Sequence, residues 1–124
     1  MKYRIKVVID PQVDFITGKL GCPAVDENVP KLAAWLAESD AVLNERYGDP
    51  EEVETVGIIL TRDTHYPGDY ADTAEGKVLP IHAEAGTDGN EFDERVEKVI
   101  DEIEDMEMLP DSGCVQICVK EAVM

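Results

Sequence analysis

The chain reads as an α/β domain built on a parallel sheet, and three observations predict it. Short apolar runs rich in β-branched residues alternate with longer segments whose apolar positions recur at helical spacing. Two of those runs lead into carboxylates: Val7-Val8-Ile9-Asp10, and Val56-Gly57-Ile58-Ile59-Leu60-Thr61 with Asp63 just beyond. Strands alternating with helices pair in parallel through right-handed crossovers. The expected architecture is therefore the front half of a three-layer (α/β/α) parallel sheet, in one domain over residues 1–124.

The first strand is expected over residues 3–10, an apolar run suited to burial on both faces, with Asp10 at its carboxyl end. Between Asn28 and Tyr47, the positions Val29, Leu32, Leu36, Leu43 and Tyr47 form one helical face. Asn28 suits the N-cap of that helix, Pro30 its first turn and Gly48 its closure. A second strand follows at about 56–62, and then a long connection from His65 to Asn90; loops of that length in a compact domain tend to be functional. A second helix is expected from Glu91 to about Met108, with Asn90 as cap. It buries Phe92, Val96, Val99, Ile100 and Ile103 and turns its acids to water. Pro110 stops it, and Cys114-Val115-Gln116-Ile117-Cys118-Val119 reads as a third strand. Ligands of open α/β sheets bind at the carboxyl ends of the strands, so Asp10 and the residues following the second strand share one rim.

The chain's two histidines, His65 and His82, join Asp63 as a set of two imidazoles and a carboxylate. Such donors suit Zn²⁺, Fe²⁺ or Mn²⁺, and three protein ligands with open positions are the arrangement of a catalytic rather than a structural site. Taken alone, the Asp-x-His spacing is equally that of two surface histidines in a polar loop. Tyr66, Tyr70 and Trp35 are candidate pocket walls, with packing the commoner role for Trp35.

Four short motifs, in order, resemble the nicotinamidase and isochorismatase-like cysteine hydrolases. Asp10-Pro11-Gln12-Val13-Asp14-Phe15 is similar to the family's opening Asp-x-Gln-x-Asp-Phe, and Thr61-Arg62-Asp63-Thr64-His65 to its metal-binding Asp-x-His. Pro80-Ile81-His82 and Gly86-Thr87-Asp88-Gly89 are similar to its Pro-x-His and Gly-Thr-x-Gly. The resemblance implies an isochorismatase-like hydrolase fold and a divalent ion held by Asp63, His65 and His82. It further implies an attack on an amide by a cysteine thiolate, with Asp10 taking the thiol proton. A thiol is mostly protonated near neutral pH, and a neighbouring base and cation make it nucleophilic. Lys120, in the run from Leu109 to Lys120, matches the family's lysine, with a surface lysine at a strand end as the rival reading.

The chain departs from the pattern at the nucleophile. The family's Gly-x-x-x-x-x-Cys-Val segment has no full counterpart here; Gly113 to Val119 resembles it loosely, one residue short, which leaves Cys118 either a nucleophile or a strand residue. The expectation is an amino-terminal portion of a longer enzyme, with its later strands missing. Ala83 stands where many members carry a second, non-nucleophilic cysteine. The implied activity of the intact enzyme is hydrolysis of nicotinamide to nicotinate and ammonia, or of a related small amide. The rival is a non-catalytic metal-binding or truncated module that pairs with another chain.

Composition limits the partners. With 28 acidic against 11 basic residues and a net charge of -17, the surface repels phosphates and argues against nucleic acid and anionic membranes. No run is long enough to span a bilayer and no signal-peptide core opens the chain, so a cytoplasmic location is the default expectation. Three cysteines, Cys22, Cys114 and Cys118, without dense spacing point to reduced thiols. The expected partner is a small-molecule amide, and self-association stays open.

Overall fold

The structure, a computed structural model of the chain, describes residues 2–49, 53–107 and 116–123, with residues 106–107 and 116–123 at the level of backbone. Three parallel strands, β1 (Tyr3–Val8), β2 (Glu54–Thr64) and β3 (Gln116–Val123), form a sheet in the order β1-β2-β3. Five helices accompany them: α1 (Val13–Ile16), α2 (Pro23–Ala37), α3 (Asp40–Tyr47), α4 (Pro67–Tyr70) and α5 (Glu94–Glu107). No helix among the described residues is long and apolar enough to cross a membrane.

The core lies between one face of the sheet and α2 with α5. Val8, Ile58 and Leu60 from the strands meet Val29 and Leu36 of α2 and Val96, Val99 and Ile100 of α5, all buried, with Leu32, Phe92 and Ile103 packed against them. The opposite side of β1 is open. Tyr3, Ile5, Val7 and Ile9 are 50% to 77% exposed, so the expectation of a first strand buried on both faces fails, and the strand ends at Val8. The physical reason is that the two long helices pack together over one face only, and the alternation of a strand sends every second side chain to the other.

The predicted helix over 28–47 is two helices. α2 begins five residues before Asn28, at Pro23, and Asn28 caps nothing: its Nδ2 donates to Ala24 O at 2.7 Å inside the helix. Pro30 sits in the interior of α2 and has no N–H for the carbonyl of Asp26. Arg95 Nη1 donates to that carbonyl at 3.4 Å, and Arg95 Nη2 to Asp26 Oδ1 at 2.6 Å, so α5 supplies part of what the proline removes. The break falls at Ser39, whose Oγ accepts the N–H of Val42 and caps α3, and Gly48 closes α3 with φ 66, the left-handed conformation that glycine adopts without strain. The apolar rhythm runs through the break because Leu43 of α3, seven residues after Leu36, is fully buried as well.

α5 starts at Glu94 rather than Glu91, and Asn90 is not its cap. Asp93 Oδ1 accepts the N–H of Arg95 at 2.9 Å in that role. Of the third expected strand, Gln116 to Val119 belong to β3, which continues to Val123, while Cys114 and Val115 lie outside the described residues.

Candidate metal centre

β2 outruns β1 by four residues at the carboxyl rim, and the connection that follows folds back on it. His65 N donates to Ala83 O at 3.1 Å and Ala85 N to His65 O at 2.9 Å, a parallel bridge that seats His82 beside His65. Ala83 pays for this tight return with φ 46, an uncommon conformation for a residue with a Cβ. Its N–H donates to Asp14 Oδ2 at 2.8 Å. Asp14 also lies against Gly89, where an added Cβ would run into its carboxylate and push it from the Ala83 N–H.

Asp63, His65 and His82 converge: one ligand atom from each lies within 4.8 Å of the others. Asp63 Oδ2 is 2.7 Å from His65 Nε2 and 3.6 Å from His82 Nε2. Both histidines are buried, at 0% and 1% exposure. His82 Nδ1 lies 2.9 Å from Pro80 O; a carbonyl only accepts, so Nδ1 donates there and Nε2 is the nitrogen turned to Asp63. Among the described residues neither ring nitrogen of His65 has a hydrogen-bond partner of good geometry, despite the short approach of Asp63. An unsatisfied buried polar atom costs about 1–3 kcal/mol. Two buried imidazoles and a carboxylate whose ligand atoms face one another are a donor set that fits a divalent cation.

Two further polar atoms nearby are also without partners among the described residues. Glu75 Oε2 is buried 3.9 Å from His65 Nε2, and Tyr70 Oη is buried in a side chain whose ring centroid lies 4.3 Å from that of His65. Burial, followed by the charges of Glu75 and Asp63, raises the Tyr70 phenol above its ordinary range. Of the candidate tyrosines only Tyr70 faces the cluster, while Tyr66 is 46% exposed. Trp35 packs against the core, its Nε1 donating to Tyr47 Oη at 3.0 Å. Glu75 was not singled out from sequence, because nothing in its spacing distinguishes it from the other acids of an acidic chain.

Asp10 also stands at this rim. Its φ is 50, its N–H donates to Thr61 Oγ1 at 2.9 Å, and the Thr61 hydroxyl donates to Asp10 Oδ1 at 2.6 Å. On the other side of β2, the backbone register sets Lys120 opposite Thr61, and Cys118 two residues further back, opposite Ile59. Asp10 borders a largely apolar cleft of about 440 Å³ lined by Val8, Pro11, Phe15, Val25, Val29 and Leu32 among others. Phe15 joins the two regions, since its ring meets that of His82 edge-on at 5.3 Å.

The parallel sheet with its crossover helices is shared with solved structures, and the likeness shows that the chain has the fold of the nicotinamidase and isochorismatase-like hydrolases. Among solved structures it is similar to a nicotinamidase/pyrazinamidase from Bacillus subtilis, with TM-score 0.61 at 20% identity over 98% of this chain and 57% of that one. It is similar also to a pyrazinamidase/nicotinamidase from Streptococcus mutans, with TM-score 0.55 at 25% identity over 94% and 56%. A pyrazinamidase of Pyrococcus horikoshii in complex with zinc matches with TM-score 0.50 at 22% identity over 97% and 53%. The chain thus spans little more than half the length of the structures it matches. A scan against protein-family models and a search of curated proteins found no match.

Proposed function

We propose that the chain is the amino-terminal part of a metal-dependent hydrolase of the nicotinamidase type, acting on nicotinamide or a related small amide. The observation that carries this reading is the buried convergence of Asp63, His65 and His82 with unsatisfied nitrogens at the carboxyl rim of the sheet. The fold supports it, as does a neighbour in complex with zinc. Asp63, His65 and His82 are the proposed ligands of Zn²⁺, Fe²⁺ or Mn²⁺. When bound, such an ion supplies a Lewis acid that orients and polarises a substrate heteroatom. Asp10 is the proposed proton acceptor, its Oδ1 held by the Thr61 hydroxyl so that the carboxylate faces a fixed direction. Lys120 is the proposed cation that stabilises the charged state of this rim. The largely apolar cleft beside Asp10 is the proposed seat of the flat apolar part of a small amide.

The test is ammonia release from nicotinamide by the 124-residue chain with each metal added. Slow turnover is expected, far below ordinary enzymatic rates, because the resemblance's nucleophile segment is matched only loosely around Cys118. Rapid turnover abolished by Cys118→Ala makes Cys118 the nucleophile. Absence of any zinc, iron or manganese binding rejects the reading. A second reading, a metal-binding module that pairs with another chain, is favoured by the exposed apolar side of β1 and by its outer edge, unpaired among the described residues. Tight metal binding with no ammonia release, together with an added chain that restores it, selects that reading.

A further inference from the structure

β1 gives out at Val8, while β2 runs on to Thr64. Val8 and Leu60 are the last residues in their shared register, so the β1-facing edge of β2 beyond that point has no strand beside it. The main chain of Asp63 is nonetheless satisfied on both its groups, by one side chain. Gln12 Oε1 accepts from Asp63 N at 2.9 Å, and Gln12 Nε2 donates to Asp63 O at 2.8 Å. A primary amide used in this way does what the peptide group of a neighbouring strand does. Gln12 is itself held in place, because Nε2 also donates to Asn90 O at 2.8 Å and its flanking main chain is stitched to Glu91 and Asp93. Asn90 works the same joint from the other side: its Nδ2 lies 3.0 Å from Asp63 O, 3.0 Å from Thr64 Oγ1 and 3.1 Å from Ala83 O. Both amides are buried, at 0% and 7% exposure.

We propose that Gln12 and Asn90 are positioning residues, an amide clamp that extends the sheet past the end of β1 and fixes the Asp63 carboxylate against His65 and His82. Gln12 acts through the main chain of Asp63. Asn90 acts through Asp63 and through Ala83, the residue after His82. The inference rests on the metal reading above and deepens it: the spacing of the three ligands is set by two side chains that lie outside the set. Outer partners of metal ligands typically contribute about 10–100-fold in affinity.

The test uses Co²⁺ and Zn²⁺ as probes. Affinity is measured by competition with a chelator, coordination by the visible absorption of bound Co²⁺, and folding by circular dichroism. Gln12→Leu and Asn90→Ala are compared with Asn44→Leu, which removes a buried amide donating to Val53 O at 3.1 Å, far from the rim in sequence and bonded to Arg4. The clamp variants are expected to bind about 10–100-fold more weakly and to shift the Co²⁺ bands. Asn44→Leu is expected to lose stability while keeping the wild-type affinity and bands. If Gln12→Leu fails to fold, Gln12→Asn, one carbon shorter with the same chemistry, gives the same comparison. Clamp variants that bind Co²⁺ with wild-type affinity and spectrum overturn the proposal and leave the metal reading intact. A wild-type chain that binds neither ion overturns both.

Discussion

Two buried polar clusters, one under β1 and one past the end of β2, are satisfied in opposite ways. Lys6 is 3% exposed, yet its three ammonium protons meet three carbonyls, Trp35 O at 3.0 Å, Leu36 O at 2.9 Å and Glu38 O at 3.4 Å. It closes the carboxyl end of α2, where the helix dipole is negative, and its ammonium lies 5.4 Å from the centroid of the Trp35 ring. Burial lowers its pKa from the ordinary lysine value, while Asp40 and Glu38 oppose that fall. His65 is buried as deeply and has no hydrogen-bond partner at either nitrogen among the described residues. The ammonium of the first cluster is matched by main-chain carbonyls, whereas the imidazole of the second faces the Asp63 carboxylate and the ring of His82. Burial of a polar group therefore does not by itself mark a site; the cluster at His65 stands out because several buried atoms without hydrogen-bond partners gather beside one set of metal-type donors.

The comparison is broken most directly at His65. His65→Leu removes a proposed ligand and two unsatisfied nitrogens together. Zinc affinity is expected to fall by more than the roughly 10–100-fold typical of outer-shell partners. The metal-free protein is expected to keep its stability or gain up to about 1–3 kcal/mol, since no hydrogen bond is lost. Chelator competition and urea unfolding without metal check the two halves. A large loss of metal-free stability would show that His65 is held by interactions of the ordinary structural kind.

Lys6→Met tests the opposite cluster. Methionine fills a similar volume but takes the ammonium donor from Leu36 O and Glu38 O, while Trp35 O keeps the N–H of Glu38. Unfolding free energy is expected to drop by about 1–3 kcal/mol, with zinc affinity unchanged. An unchanged or raised stability is the outcome that rejects the assignment, and it is physically admissible, because replacing a buried charge with an apolar group of like size is sometimes stabilising.

The same two clusters mark what the sequence discloses. The α/β class, the carboxylates at the strand ends and the metal-type donors were all legible, because each is written locally in an apolar run or a short spacing. The partition of 28–47 into α2 and α3 was not, since Leu36 and Leu43 both belong to the core and the capping Ser39 is one polar residue among several. Asn90 was legible as a polar residue before a helix, and the cap was assigned to it instead of to Asp93; its bonds go to Asp63, Thr64 and Ala83, partners far apart in the chain. Gln12 and Asp14 sat inside a recognised motif, but their partners lie 51 and 69 residues away. Side-chain to main-chain bonds of that range have no periodicity to betray them. The exposed side of β1 was missed for a related reason: an apolar strand does not say how many layers cover it.

The smallest effect expected is at the start of α5, where Asp93 is completed in the manner of Lys6 and not of His65. Its carboxylate receives Arg95 Nε at 3.0 Å and Arg95 Nη2 at 2.9 Å, while Oδ1 also caps the helix through Arg95 N. The Arg95 side-chain bonds hold the Asp93 carboxyl below its ordinary pKa, against the opposing effect of burial. A carboxylate with a depressed folded pKa contributes stability that is fully present above the ordinary, unfolded value and is lost as pH falls through the folded one. Asp93→Asn keeps an oxygen for the cap and removes only the charge, and asparagine serves at an N-cap about as well as aspartate. The variant is therefore expected to be less stable than wild type at neutral pH by about 1 kcal/mol or less, the scale of a partly exposed ion pair. The difference is expected to shrink below the ordinary carboxylate range and to vanish once the wild-type group is protonated in both states. Urea unfolding of both proteins from neutral pH down through the acid range measures it. A difference that does not change with pH would mean that Arg95 is held by Asp26 and the main chain alone, and that Asp93 acts as a cap without an ion pair.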